Sequence, residues 1–326
     1  MKKTITCFTL CALLMALGTS AWAQQPIKIP RIGWLTGGSP GSYRLDAFRL
    51  GLRELGYVEG KNIAIEWRVA DGQRDRVPAL AADLVRLKVD VILTGSATDT
   101  RAAKAATTTI PIVMTNDGDP VGNGFVASLA RPGGNITGLS TLAPELAGKR
   151  FDLLKEIVPR LSRVAVFGTS TSASNALEIK EVEAAAAAIG VTLQYFDVLV
   201  LKDIEPAFRA ASKGRAEAVL WLVSGGLVTP AQAQAAFRNS KANLPTIYDR
   251  QIRVEAGGLM SYGVDSAALD RRSATFVDKI LKGAKPADLP VEQPMKFEFV
   301  INLKTAKQIG LTIPQWTLMK ADRVIR

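Results

Sequence analysis

Short polar segments follow apolar runs at several points in this sequence, and they carry the side chains best suited to hold a small molecule. Thr36 ends the run 29–35 and opens the glycine-rich stretch 36–42, with Tyr43 just beyond it. Ser96, Ala97 and Thr98 follow 90–94, and Asn116 and Asp117 follow 110–114. In the second half, Asn175 closes the polar stretch 169–175, Ser224 precedes two glycines, and Tyr248 and Asp249 end the run 244–247. Ser96 and Thr98 stand where a helical pattern begins. Hydroxyls and free backbone N–H groups there can hold a carboxylate or another anion. The same hydroxyls equally suit capping their own helix, worth about 1 kcal/mol. Asn116 and Asp117 can point into a cleft. Asp117 and Asp249 can accept from an ammonium group. Tyr43 and Tyr248 can offer a ring to an apolar body, although Tyr43 also suits a hydrophobic staple at a helix start. Asn175 suits capping the helix after it, and Ser224 lies where glycines allow close backbone approach. Asp119-Pro120 reads as a turn near a hinge.

Composition limits what these groups can do. The 326 residues contain no His, and the two Cys, Cys7 and Cys11, lie within the first apolar run. This excludes a Ser-His-Asp triad, a Cys-His pair and histidine metal ligands. Any proton transfer near neutral pH would rest on shifted carboxylates or lysines. The glycine loops at 36–38 and 224–226 lack the full G-x-G-x-x-G spacing, so no nucleotide cofactor is expected, and no carboxylate cluster suggests a metal. The formal charge of +11 is scattered among acids without basic runs, which reads as a solvated surface rather than a nucleic-acid face.

The first residues read as a secretory signal. Lys2 and Lys3 precede an apolar stretch of residues 5–17, and small residues stand at 21 and 23, so cleavage is expected after Ala23. The apolar stretch is shorter than the roughly 20 residues a membrane span needs. Neither cysteine follows it, as lipid attachment would require. A periplasmic location is expected, and the remaining length suits two domains.

Apolar runs alternate with helical patterns along the rest of the chain, which implies parallel sheets covered on both faces. Leu45, Phe48, Leu52 and Leu55 have helical spacing. The arrangement repeats: 31–35 and 163–167 are each followed by a polar loop, a helix, a glycine and a new strand, and 89–94 is mirrored by 216–221. Two copies of one arrangement imply two similar lobes. The expected division is 27–143 plus 256–290 for one lobe and 144–255 plus 291–326 for the other, with 256–262 as a passage between them. Trp34 and Trp221 fall inside strands and read as core.

Residues 48–57 (FRLGLRELGY), 119–121 (DPV), 128–138 (SLARPGGNITG), 257–263 (GGLMSYG), 279–283 (KILKG), 289–291 (LPV) and 301–306 (INLKTA) closely resemble the ABC transporter substrate-binding family that includes tryptophan-binding members. The resemblance covers nearly the whole chain after residue 23. It implies a type I periplasmic-binding fold: two α/β lobes, three hinge passages and a ligand between the lobes. It further implies capture without chemistry and delivery to an ABC permease in the inner membrane. The rival functions are a periplasmic sensor module for a membrane receptor, which would use the same clamp, and an exported hydrolase, which lacks an evident nucleophile and base. The expected ligand is a compact polar molecule with an anionic end, such as an amino acid.

Overall fold

The computed structural model describes residues 29–38, 42–158, 160–170, 173–222 and 230–326. The expected signal segment and Ser224 lie outside these residues, and so does the side chain of Tyr43. The first sheet contains β1 (Arg31–Thr36), β2 (Ala64–Val69), β3 (Val91–Thr94), β4 (Ile112–Asp117) and β5 (Ile136–Ser140). All are parallel, in the order β2-β1-β3-β4-β5. Helices α1 (Ser42–Glu54), α2 (Val77–Arg86) and α3 (Ala97–Ala106) connect them. In β1, consecutive residues from Ile32 to Thr36 are all buried, as a strand covered on both faces requires. One face packs Trp34 with Phe48 and Leu52 of α1, and the other packs Leu35 with Val77 and Leu84 of α2.

The second half begins with α4 (Ala143–Ile157) and continues as β6 (Arg163–Gly168), α5 (Ala173–Ala187), β7 (Thr192–Asp197), α6 (Leu201–Lys213) and β8 (Ala218–Trp221). Then come α7 (Pro230–Ser240), β9 (Thr246–Tyr248), α8 (Gln251–Glu255) and β10 (Met260–Val264). Strands β7-β6-β8-β9-β10 lie side by side and parallel, repeating the order of the first sheet. Trp221 is in the core, with its ring 5.5 Å from Phe167 and 5.7 Å from Tyr248. Among the described residues no helix is long and apolar enough to cross a membrane.

The remaining elements tie the two sheets together. Helix α9 (Ser266–Leu281) leaves the larger sheet and packs on α1 of the smaller one. Residues 289–292 then run beside β5, with Glu292 N–H donating to Gly138 O and Ser140 N–H to Glu292 O, both at 2.9 Å. Next, β11 (Phe297–Asn302) joins the larger sheet antiparallel to β10, followed by α10 (Leu303–Gln308), α11 (Gln315–Lys320) and the edge strand β12 (Arg323–Ile325). The chain therefore crosses between sheets near 140–143, 264–266 and 292–297. The expected division assigns 256–290 to the first lobe, whereas 260–264 is paired strand in the larger sheet. Its glycines looked like a passage because nothing local marks the neighbours β9 and β11 that pair with it.

Candidate functional site

In open α/β sheets the binding crevice lies beyond the carboxyl ends of the strands, where the strand order reverses. In the smaller sheet that point lies between β1 and β3. Thr36 is nearly buried there, and its hydroxyl donates to Gly38 O at 3.1 Å. Ser96 is the N-cap of α3: its Oγ accepts from Asp99 N–H at 3.3 Å and donates to Asp99 Oδ2 at 2.7 Å. Asp99, on the first turn of α3, is fully enclosed. Burial pushes its carboxyl up to about 6, against the pull of the Ser96 hydroxyl, the Gly37 and Gly95 N–H groups and Arg44. The positive pole of α3 thus already faces a carboxylate of its own chain, so an added anion beside Ser96 and Thr98 would be opposed by Asp99. Ala97 and Thr98 are half-buried at the same helix start.

Beneath this point lies an ion pair that the local pattern did not announce. Arg44 of α1 donates through Nε to Asp270 Oδ2 at 2.6 Å and through Nη2 to Asp270 Oδ1 at 2.8 Å and Thr115 Oγ1 at 3.1 Å. Asp270 sits on α9, 226 positions away in sequence. Burial raises its carboxyl above the ordinary value, and Arg44 opposes the rise. Asn116 and Asp117 alternate across β4, as neighbours in a strand must. Asn116 reaches the space between the sheets. Asp117 does not line it: its Oδ1 accepts from Asp119 N–H and Asn123 Nδ2, both at 3.0 Å, and its carbonyl accepts from Thr141 N–H at 2.7 Å. Burial pushes the Asp117 carboxyl up to about 6. It braces the first crossing and is not placed to meet an ammonium in the cleft.

In the larger sheet the expected residues are absorbed by packing and by arginines. Tyr248 is 1% exposed, accepts from Gln234 Nε2 at 2.9 Å, and belongs to the apolar cluster around Trp221. It offers no free face for stacking. Burial pushes its phenol up to about 12. Asn175 is buried inside the first turn of α5, where its Oδ1 accepts from Thr169 N–H at 2.5 Å and its Nδ2 donates to Glu178 Oε1 at 3.0 Å. Glu178 Oε2 in turn accepts from Arg150 Nη2 at 3.0 Å. Asp249 is paired with Arg250 at 3.0 Å and Arg253 at 3.4 Å. Burial alone pushes its carboxyl up, but Arg250, Arg253 and Arg150 outweigh that and hold it below the ordinary range. Asp249 is thus already matched by cations, and its Oδ1 has no hydrogen-bond partner among the described residues. Arg253 lies over Trp221 at 5.0 Å, a cation–π contact in a dry setting.

Where the two sets of strand ends meet, a small pocket continuous with solvent is lined by Asn116, Thr141, Arg150, Asp249 and Arg250 among others. Its charges are unevenly shared. On the larger-sheet side, Arg150, Arg250 and Arg253 face Asp249 and Glu178. On the smaller-sheet side, Arg44 faces Asp99 and Asp270. Arg250 also stabilises the charge of Asp270 across the seam. Of these arginines, Arg250 directly follows Asp249 at a strand end, where the same topological rule points to it. Arg44, Arg150 and Asp270 lie on helices far apart in sequence and carried no local signal.

Comparison with known proteins agrees with this architecture. Residues 42–325 match the family model described as ABC transporter substrate binding protein. The tyrosine-binding protein of Clostridioides difficile is 25% identical over 260 residues, covering 80% of this chain and 74% of that protein. A conserved domain protein from Vibrio cholerae superposes with a TM-score of 0.84 at 29% identity, over 91% of this chain and 100% of that one. The ABC domain from Streptococcus pneumoniae in complex with L-Trp has a TM-score of 0.84 at 27% identity, over 91% and 99% of the two chains. A Bacillus halodurans solute binding protein with bound myo-inositol, 12% identical with a TM-score of 0.59, shares the fold.

Proposed function

Because the chain belongs to the ABC transporter substrate binding protein family, we propose that it works outside the cytoplasmic membrane as the capture component of an importer for an amino-acid-like solute. The observation that carries the proposal is the convergence of two identically ordered sets of strand ends on one polar pocket, with Asn116 and Thr141 on one side and Arg150, Asp249 and Arg250 on the other. A pocket shared by two sheets that are joined by three short crossings suits reversible enclosure. Lobe one then comprises 29–140 and 266–292, and lobe two comprises 143–264 and 293–326. The tyrosine-binding relative and the L-Trp complex support an amino acid as the ligand class. Export rests on the pattern of residues 2–23, and an inner-membrane permease is the expected partner. The protein performs no reaction on what it binds.

Native mass spectrometry on freshly purified protein, followed by calorimetry with the twenty L-amino acids, tests this reading. A retained or saturable small molecule, recovered unchanged after long incubation, is expected. Turnover of the bound molecule would replace capture with catalysis.

A further inference from the structure

The charges around the pocket have a polarity opposite to the one expected from sequence. We propose that Arg250, with Arg150 behind it, forms the seat for a carboxylate of the ligand, so that the anionic end lies against lobe two and not against Ser96 and Thr98 in lobe one. The assignment rests on the solute-capture reading and specifies its chemistry.

Three observations carry it. First, the start of α3 is already filled. Ser96 exchanges both of its hydrogen bonds with Asp99, and that carboxylate would repel a second anion. Second, lobe two brings three arginines, Arg150, Arg250 and Arg253, to two carboxylates, Asp249 and Glu178. Lobe two is thus the more positive side of the pocket, and Arg250, with 21% of its side chain exposed, is the most accessible of the three arginines. Third, donors remain open at the pocket. Arg150 is 1% exposed, lines the pocket, and its Nε has no hydrogen-bond partner among the described residues. Arg250 donates from Nε to Asp249 at 3.0 Å, and its two Nη groups form no hydrogen bond with the described residues. A guanidinium fork held from one edge by Asp249 presents its other edge in the geometry that pairs with a carboxylate. A neutral polyol could also accept these bonds, but without the charge assistance that a carboxylate brings.

The test compares charged and uncharged probes on the folded protein. Wild type is titrated by calorimetry with the twenty L-amino acids and small mono- and dicarboxylic acids, with the carboxamide of each acid that binds, and with neutral polyols including myo-inositol. At least tenfold tighter binding of an acid than of its amide is expected, from one charge-assisted hydrogen bond or more. In Arg250→Gln that preference should shrink to about twofold or less. A thermal melt run alongside establishes that the variant is folded. Should it not fold, Arg250→Lys, which keeps the charge and loses the fork, is expected to lose about tenfold toward the acid alone. Equal binding of acid and amide by wild type, or an undiminished preference in the folded variant, overturns the proposal. Binding of neutral polyols alone overturns it while leaving solute capture intact. No binding in any panel removes the capture reading and this assignment together.

Discussion

Asp99 and Asp117 sit fully buried at the mouths of β3 and β4 with carboxyl groups pushed up to about 6 by burial. An unfolded aspartate titrates near 4, so between about pH 4 and pH 6 the folded protein holds protons that the unfolded chain has released. Stability therefore falls as pH rises through that window, by about 3 kcal/mol for each group shifted by about two units. Asp249 has the opposite sign. Its carboxyl is held low by its arginines, and its contribution is lost only as pH falls below about 4. Urea denaturation from pH 4 to pH 7 should show the decline. Asp99→Asn should flatten it measurably, and an unchanged slope in that variant would show that Asp99 is ionised in the fold throughout. Ser96→Ala should lower stability by about 1–2 kcal/mol through loss of the α3 cap, measured by thermal melt. Affinity for acids should change little, because the hydroxyl serves Asp99 and not the ligand's anionic end.

At the scale of elements, the return helix α9 decides how lobe one is built. It meets α1 so closely that a Cβ added at Gly51 would lie 2.3 Å from Arg271 O. Around that contact, Arg44 pairs with Asp270, Tyr57 Oη donates to Asp278 at 3.0 Å, and Arg271 pairs with Glu54. Gly51→Ala must push two helices apart and should cost about 1–3 kcal/mol or more. Gly148 on α4 offers the control. A Cβ there meets nothing within 4 Å, so Gly148→Ala should be neutral or stabilising by up to about 1 kcal/mol through helix propensity. Equilibrium unfolding of both variants decides the point, and equal effects would show that the α1–α9 contact is not tight in solution.

For the whole molecule, the crossings near 140–143, 264–266 and 292–297 are short and lie together beside β5 and β10. Leu142 at the first crossing adopts a left-handed backbone with φ of 54°, a conformation that a non-glycine residue holds only when its surroundings require it. Rotation about these strands is the expected route to opening and closing the pocket. Small-angle scattering should show a smaller radius of gyration once the ligand identified by calorimetry is added. An equal radius at saturation would mean that capture occurs without lobe movement, as for a protein already closed when empty.

The repeated alternation of apolar runs and helical patterns determined the α/β class, the doubled topology and the strand ends where a site must lie. It did so because a parallel strand buried on both faces and an amphipathic helix each write their environment into consecutive residues. Trp34 and Trp221 were legible as core for the same reason. The absence of His excluded imidazole chemistry without any structure, since no fold can supply a missing imidazole. What lay beyond reach were the partners. Tyr248 and Asp249 look available at the end of a short strand, but Gln234, Trp221, Arg250 and Arg253 claim them, and those contacts form only when α7 and α8 pack against β9. Strand β10 looked like a passage because its pairing partners lie in separate stretches of chain. The polarity of the pocket depends on Arg44, Arg150, Asp99 and Asp270, brought together from four helices. Electrostatics at a site is a sum over neighbours in space, and only the tertiary structure says which charges are neighbours.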